Sequence, residues 1–265
     1  MGFSPDLKNP QTHAEFTMRK MISEAGPMMV MTADKVLVRE YVKEKVGEKY
    51  CYPLIYAGTI PETFPDNCVI KVNNACGRNI FKRNGRALFR GKKVGPKTIK
   101  RLLRLWLKDD YARGGVHYTK INPQVLIEPI LDSVHIICKL NSWRGYAPYI
   151  HMTKYDIGSG ALKIIGRTWY DRDWNKLPMA NIGKPNIEFQ KPLMLEDMLR
   201  VSKILSEPFD YCRVDLFLKD EKFWVNELTH CSSGGAPHAF NPIDWQFKFG
   251  EFWKQNFNNQ TVEAL

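Results

Sequence analysis

Two acidic residues stand inside otherwise apolar, strand-like segments: Asp215 in Cys212-Arg213-Val214-Asp215-Leu216-Phe217, and Glu227 in Phe223-Trp224-Val225-Asn226-Glu227-Leu228-Thr229. A charge within such a strand is costly unless something pairs it. The short spacer Lys219-Asp220-Glu221 predicts a hairpin that sets the two carboxylates side by side. Such a pair repels itself but can share Mg²⁺, a hard cation that prefers carboxylate and phosphate oxygens. Arg213, two residues before Asp215, projects from the same strand face. The same residues are also readable as an Arg–carboxylate cluster that only stabilises the sheet, and periodicity alone favours that reading.

Lys71 closes the apolar run Cys68-Val69-Ile70-Lys71-Val72 and is followed by Asn73-Asn74-Ala75-Cys76-Gly77. The small residues and Gly77 would let backbone amides approach a phosphate, or they form an ordinary turn. Asp171-Arg172-Asp173 has the DxD form that some sugar-nucleotide transferases use to hold a metal. The six histidines (13, 117, 135, 151, 230, 238) show no metal-ligand spacing, and there is no GxSxG elbow, which argues against zinc hydrolysis and a serine triad. His230 and His238 flank Ser232-Ser233-Gly234-Gly235, a polar loop near Glu227 suited to contacting a substrate.

These residues need strands and helices to position them. Apolar periodicity predicts helices over 11–23, 34–45, 97–107 and 195–205, and strands over 68–72, 124–130, 134–140, 149–155, 161–169, 211–218 and 222–228. Strands and helices without a strict βαβ rhythm indicate an α+β fold with antiparallel sheet. No repeat or flexible linker breaks the chain.

At 265 residues with 44% hydrophobic content the chain can bury a sizeable core. No apolar run reaches the ~18 residues of a spanning helix and the start lacks a signal-peptide pattern, so a cytoplasmic protein is expected. The six scattered cysteines, without a CxxC pair, suggest reduced thiols. A net charge of +11 favours anionic partners: nucleotide, nucleic acid, anionic lipid or acidic polysaccharide. Much of it lies in residues 78–113, either a solvated basic helix face or a functional anion surface.

Taken in order, these pieces resemble the ATP-grasp superfamily, and most closely its TupA-like branch, named for teichuronopeptide biosynthesis. The resemblance covers roughly residues 34–253. It rests on Asp34-Lys35 with Arg39-Glu40-Tyr41, the Phe64 to Asn73 strand, Val125-Leu126-Ile127-Glu128-Pro129, and Arg167-Thr168-Trp169-Tyr170-Asp171-Arg172-Asp173-Trp174. Arg213-Val214-Asp215, Asn226-Glu227-Leu228-Thr229, Phe240-Asn241-Pro242 and Phe249-Gly250-Glu251 complete it. The DxD string falls inside one of the branch's own elements.

The resemblance implies two α+β lobes holding ATP between them, with a helical lead-in over 1–60, a small lobe over 61–132 and a large lobe over 133–265. It implies that Arg39 and Lys71 touch ATP phosphates, Gly77 caps them, Glu128 meets adenine and Asp132 holds the ribose. Asp215 and Glu227 would bind Mg²⁺, while Arg213 and Lys71 serve catalysis. The branch's DYK-like triplet is replaced by Asp132-Ser133-Val134, its glycine-rich loop is reduced to Gly77, and the ExN of many relatives is Glu227-Leu228-Thr229. The implied activity is ADP-forming ligation of a carboxylate to an amine, the partners being an acidic sugar or polysaccharide and a small amine, with no nucleic acid. A sugar-nucleotide glycosyltransferase using Asp171 and Asp173, and a non-catalytic protein that binds anionic polysaccharide, are the competing readings.

Overall fold

The computed structural model describes residues 4–130, 134–158, 160, 163–180, 185–236 and 240–255. Asp132, Ser133, Ser159 and His238 lie outside them. The chain is α+β, built on two antiparallel sheets.

The five-stranded sheet has the order β11-β10-β7-β8-β9: β7 (Val134–Trp143), β8 (Tyr146–Asp156), β9 (Lys163–Asp171), β10 (Cys212–Lys219) and β11 (Lys222–Thr229). Its neighbours are joined by tight turns wherever the sequence permits. Arg144-Gly145 and Asp220-Glu221 each have both φ values positive, as two-residue hairpins between right-twisted strands require. One face of this sheet carries Cys138, Leu140, Val214 and Leu216 onto helices α3 (Val38–Val46) and α5 (Leu195–Ser206). The opposite face carries Lys139, Arg213 and Asp215.

The six-stranded sheet has the order β1-β6-β2-β3-β4-β5: β1 (Tyr56–Gly58), β2 (Cys68–Val72), β3 (Ile80–Arg83), β4 (Arg86–Phe89), β5 (Lys92–Lys93) and β6 (Val125–Pro129). Ile70, Val72, Ile80 and Ile127 pack on Ile99, Leu103 and Trp106 of α4 (Pro96–Lys108). α4 starts with Pro96 just inside Gly95, where its missing N–H costs nothing. The basic residues of 78–113 are divided between the β3–β5 meander and α4, which matches the helix expected over 97–107. Asn84-Gly85 and Arg90-Gly91 take left-handed turns that fold the stretch before α4 into hairpins.

α1 (His13–Ser23) is capped by Thr12 and Glu15 in a reciprocal capping box. It packs against α6 (Asp244–Lys254), and Gly250 of α6 lies so close to the chain that a Cβ there would come within 2.0 Å of the Gln11 carbonyl oxygen. A further helix, α2 (Pro27–Ala33), precedes Asp34. The Asp34 carboxylate accepts from the amides of Val36 (2.7 Å) and Leu37 (3.4 Å), so the helix expected from residue 34 begins only at Val38.

Candidate functional site

The two sheets face each other across a cavity of about 240 Å³. From the small sheet, Val69, Lys71 and Phe81 point into it, because Cys68, Ile70, Val72 and Ile80 are committed to the α4 side. Gly77 lines it with φ +72, a conformation that a Cβ would strain. From the large sheet come His135, Ile137, Lys139, Arg213, Asp215 and Glu227.

Asp215 and Glu227 are direct cross-strand partners. The pairing slips immediately beyond them, with Leu216 opposite Val225, so Asn226 is an extra residue on β11. This bulge breaks the alternation: Val225 and Leu228 are buried on the core side, while the consecutive Asn226 and Glu227 both line the cavity.

Arg213 donates to both carboxylate oxygens of Asp215 at 2.6 and 2.7 Å and lies 4.0 Å from Glu227. Lys139 is the register partner of Asp215 on β7. Lys35 reaches Glu227 at 3.6 Å. Burial pushes the Asp215 carboxyl up against the pull of Arg213 and Lys139. Burial pushes Glu227 the same way, but Lys35, Arg213, Lys71 and Lys139 together outweigh it and hold Glu227 below the usual carboxylate range. Glu227 is thus an ionised carboxylate in a cationic surround.

The position of Lys35 is built from buried polar bonds. Asn73, fully buried, donates to Asp34 at 2.9 Å and accepts from the Gln124 amide at 2.7 Å, and its carbonyl accepts from the Lys35 amide at 3.4 Å. The segment before α3 is therefore clamped to the end of β2, and Lys35 and Lys71 enter one cavity from different elements.

Glu128 lies diagonally across from Lys71, since Lys71 pairs Leu126 on the neighbouring strand. Its carboxylate accepts from Lys71 at 2.6 Å and from Arg39 at 2.5 Å, and Arg39 also donates to the Tyr52 carbonyl. The cavity walls include Glu128 and Lys71 but not Arg39, which stands behind Glu128. Thr229 accepts from Arg213 at 3.3 Å.

Asp171 accepts from the amides of Asp173 (2.9 Å) and Asn175 (2.7 Å) and from the Asn175 side chain (2.9 Å), so it caps the turn after β9, and neither Asp171 nor Asp173 lines the cavity. The Ser232-Ser233-Gly234-Gly235 loop, expected to meet substrate, packs on α1 instead: Ser232 bonds His13 and Tyr211, each at 2.9 Å, and His230 bonds Thr32 at 2.8 Å. The residues missed by sequence reasoning are Lys35, Lys139 and Asn226. Lys35 stood in plain view beside Asp34, whereas Lys139 and Asn226 depend on strand order and on a bulge.

The donor set suits Mg²⁺, with the Asp215 and Glu227 carboxylates and the Asn226 amide supplying hard oxygens. Among the described residues no three His, Cys, Asp or Glu side chains converge as a cage. A cation here would complete its shell with phosphate oxygens and water, as Mg²⁺ commonly does.

The chain belongs to the TupA-like ATP-grasp family, whose model matches residues 14–252. No curated protein matches it. Among solved structures it is similar to D-alanine–D-alanine ligase from Helicobacter pylori, at 16% identity over 86% of this chain and 61% of that one, with a TM-score of 0.43. It is also similar to the ATP-grasp ligase PsnB complexed with minimal precursor (11%, 87% and 62%, TM-score 0.44). A third likeness is to L-amino acid ligase from Bacillus licheniformis (12%, 78% and 42%, TM-score 0.40). The chain thus spans 42–62% of the length of these three proteins.

Proposed function

We propose that this protein is an ATP-dependent carboxylate–amine ligase that forms an amide through an acyl phosphate. Its acceptor is a uronic-acid carboxylate of a surface polysaccharide or precursor, and its amine an amino acid or amino alcohol. The observation that supports this most is the meeting, across one cavity, of the Asp215–Glu227 pair with Lys35, Lys71, Lys139 and Arg213. Carboxylates gather where a divalent cation would sit, and cations gather where phosphates would lie. In this reading the small lobe (61–132) and large lobe (133–265) clasp ATP, and the helices of residues 1–60 support the clasp. The protein acts in the cytoplasm, where ATP is available.

A carboxylate is a poor electrophile, so its oxygen must first take the γ-phosphoryl group of ATP, releasing ADP, to give an acyl phosphate, a mixed anhydride from which an attacking amine can expel inorganic phosphate. Mg²⁺ held by Asp215, Glu227 and Asn226 would neutralise phosphate charge. Lys71, with the Gly77 loop, orients the phosphates. Arg213 and Lys35 supply fixed positive field where charge grows during transfer. Glu128 and Asp132 are the side chains proposed for adenine and ribose, and Arg39 acts through Glu128. Asp171 already caps a turn, which disfavours the glycosyltransferase reading.

The test is to supply ¹⁸O-carboxylate acceptors with amine and Mg-ATP and to examine phosphate and nucleotide by mass spectrometry. One labelled oxygen should move into inorganic phosphate, and hydroxylamine in place of amine should give a hydroxamate. Label in AMP or formation of pyrophosphate would exclude this chemistry. Absence of any ADP across a full acceptor set would favour the non-catalytic reading.

A further inference from the structure

Residues 80–108 contain eleven Lys and Arg and no Asp or Glu. The whole chain has 39 basic and 28 acidic residues, so the other 236 positions are balanced at 28 against 28 and the entire net charge of +11 resides in this one stretch. It forms β3, β4, β5 and α4.

On α4 the basic residues are Lys97, Lys100, Arg101, Arg104 and Lys108, which at ~100° per residue fall within an arc of about 100°. That arc lies opposite Ile99, Leu103 and Trp106, which are buried against the sheet. Lys97, Arg101, Arg104 and Lys108 are exposed, and none of the five has a carboxylate within ion-pair distance among the described residues. Leu105, 54% exposed, stands beside the stripe. Lys92 extends the face, since it pairs Phe89, which packs on Trp106.

We infer that this outer face of the small lobe docks on an anionic lipid surface. A stripe of long, unpaired cations with an exposed leucine at its edge is the chemistry of a surface drawn to anionic headgroups. Single-stranded nucleic acid is usually held on aromatic platforms in a groove. Here the helix's one aromatic, Trp106, is buried. The face also lies on the far side of the sheet from Lys71 and Gly77, so docking leaves the cavity open.

The test is co-sedimentation of the unmodified chain with phosphatidylcholine vesicles, with and without about one-third phosphatidylglycerol. The protein should pellet only with anionic vesicles and be released by about 0.5 M salt. Lys97→Glu/Arg101→Glu/Arg104→Glu should lower partitioning on the order of a hundredfold, while Lys43→Glu/Lys45→Glu on α3 should leave it near that of the parent chain. The stabilisation of both variants by Mg-ATP should match that of the parent chain, a measurement independent of acceptor chemistry. Should the triple variant fail to fold, Leu105→Trp serves instead: its difference emission should shift to the blue on anionic vesicles. No anionic pelleting, an unshifted Trp spectrum, or displacement from vesicles by soluble polygalacturonate at equal charge would overturn the inference, the last by making an acidic polymer the occupant.

Discussion

Replacing Glu128 by Gln removes the carboxylate that, among the described residues, ion-pairs with both of two nearly buried cations. Its carboxylate holds Arg39 at 2.5 Å and Lys71 at 2.6 Å, with the Glu128 side chain 4% exposed. Removing one partner of a buried ion pair commonly costs about 3–5 kcal/mol, because the remaining charge keeps its desolvation penalty without compensation. The amide of Gln retains one acceptor, which places the expected loss near the lower end, about 3 kcal/mol. For a chain of this length each kcal/mol lowers the unfolding midpoint by roughly 2–4 °C, so Glu128→Gln should melt about 10 °C below the parent. The diagnostic part is the response to anions. In the parent, pyrophosphate must compete with Glu128 for Lys71, whereas in the variant it would supply the missing negative charge. Differential scanning fluorimetry with pyrophosphate should therefore give a larger upward shift in Glu128→Gln than in the parent. Lys71→Met in the same background should recover part of the lost stability in a double-mutant cycle. A midpoint within a degree of the parent, or a smaller pyrophosphate shift, would refute the idea that Glu128 neutralises the phosphate lysine.

Asp215→Asn and Glu227→Gln should each lower ADP formation by ~10²-fold or more while circular dichroism shows a folded chain; near-parent turnover in both would discard the metal pair. Lys71→Ala should weaken ATP binding in calorimetry far more than Lys100→Ala, and equal effects would point to diffuse basic attraction. Burial holds three histidines neutral: His13, beside Arg213, is pushed down to about 3, His117, near Lys20, to about 4, and His230 also lies well below its ordinary value. Their contribution is complete above the unfolded-state value near 6.5 and is lost as pH falls toward the folded values, costing up to about 2 kcal/mol per histidine by pH 5. Urea midpoints that match at pH 7 and pH 5 would contradict this. Gly250→Ala should destabilise by several kcal/mol, roughly the scale of core overpacking and more, because a Cβ has no room beside Gln11; a small change in urea midpoint would show that α6 can shift aside.

The strands that carry chemistry were legible because each pairs an apolar run with a misplaced charge. β2 matches its expected span, and the β10–β11 hairpin sets Asp215 opposite Glu227. The β3–β5 meander was hidden by its own basic residues, although Asn84-Gly85 is a strong hairpin signal. α6 was missed despite Trp245, Phe249 and Phe252 at helical spacing, and α2 was missed because it is only seven residues long. Lys139 could not be found from local sequence, since it meets Asp215 only through the order β10-β7. Nor could Asn226, because a bulge is a property of two strands and local sequence describes one. Arg39 shows the reverse limit: its element was recognised, but only the fold reveals that Glu128 intervenes between it and the cavity.

The contact of α1 with α6 has a consequence for synthesis on the ribosome. Ala14 donates its amide to Gln246 at 2.9 Å, and Trp253 donates to His13 at 3.0 Å, so α1 finds its mates in α6. At the usual 5–20 residues per second, roughly ten to fifty seconds separate the emergence of the two. During that interval Phe16 lacks Trp253, its stacking partner, and Trp143 lacks Phe249 and Phe252. The aromatic end of the larger sheet is thus sealed only when α6 joins α1, after the rest of that sheet can already have paired. Nascent chains stalled before α6 emerges should be cleaved in α1 by a brief protease pulse, and chains that have released α6 should resist it.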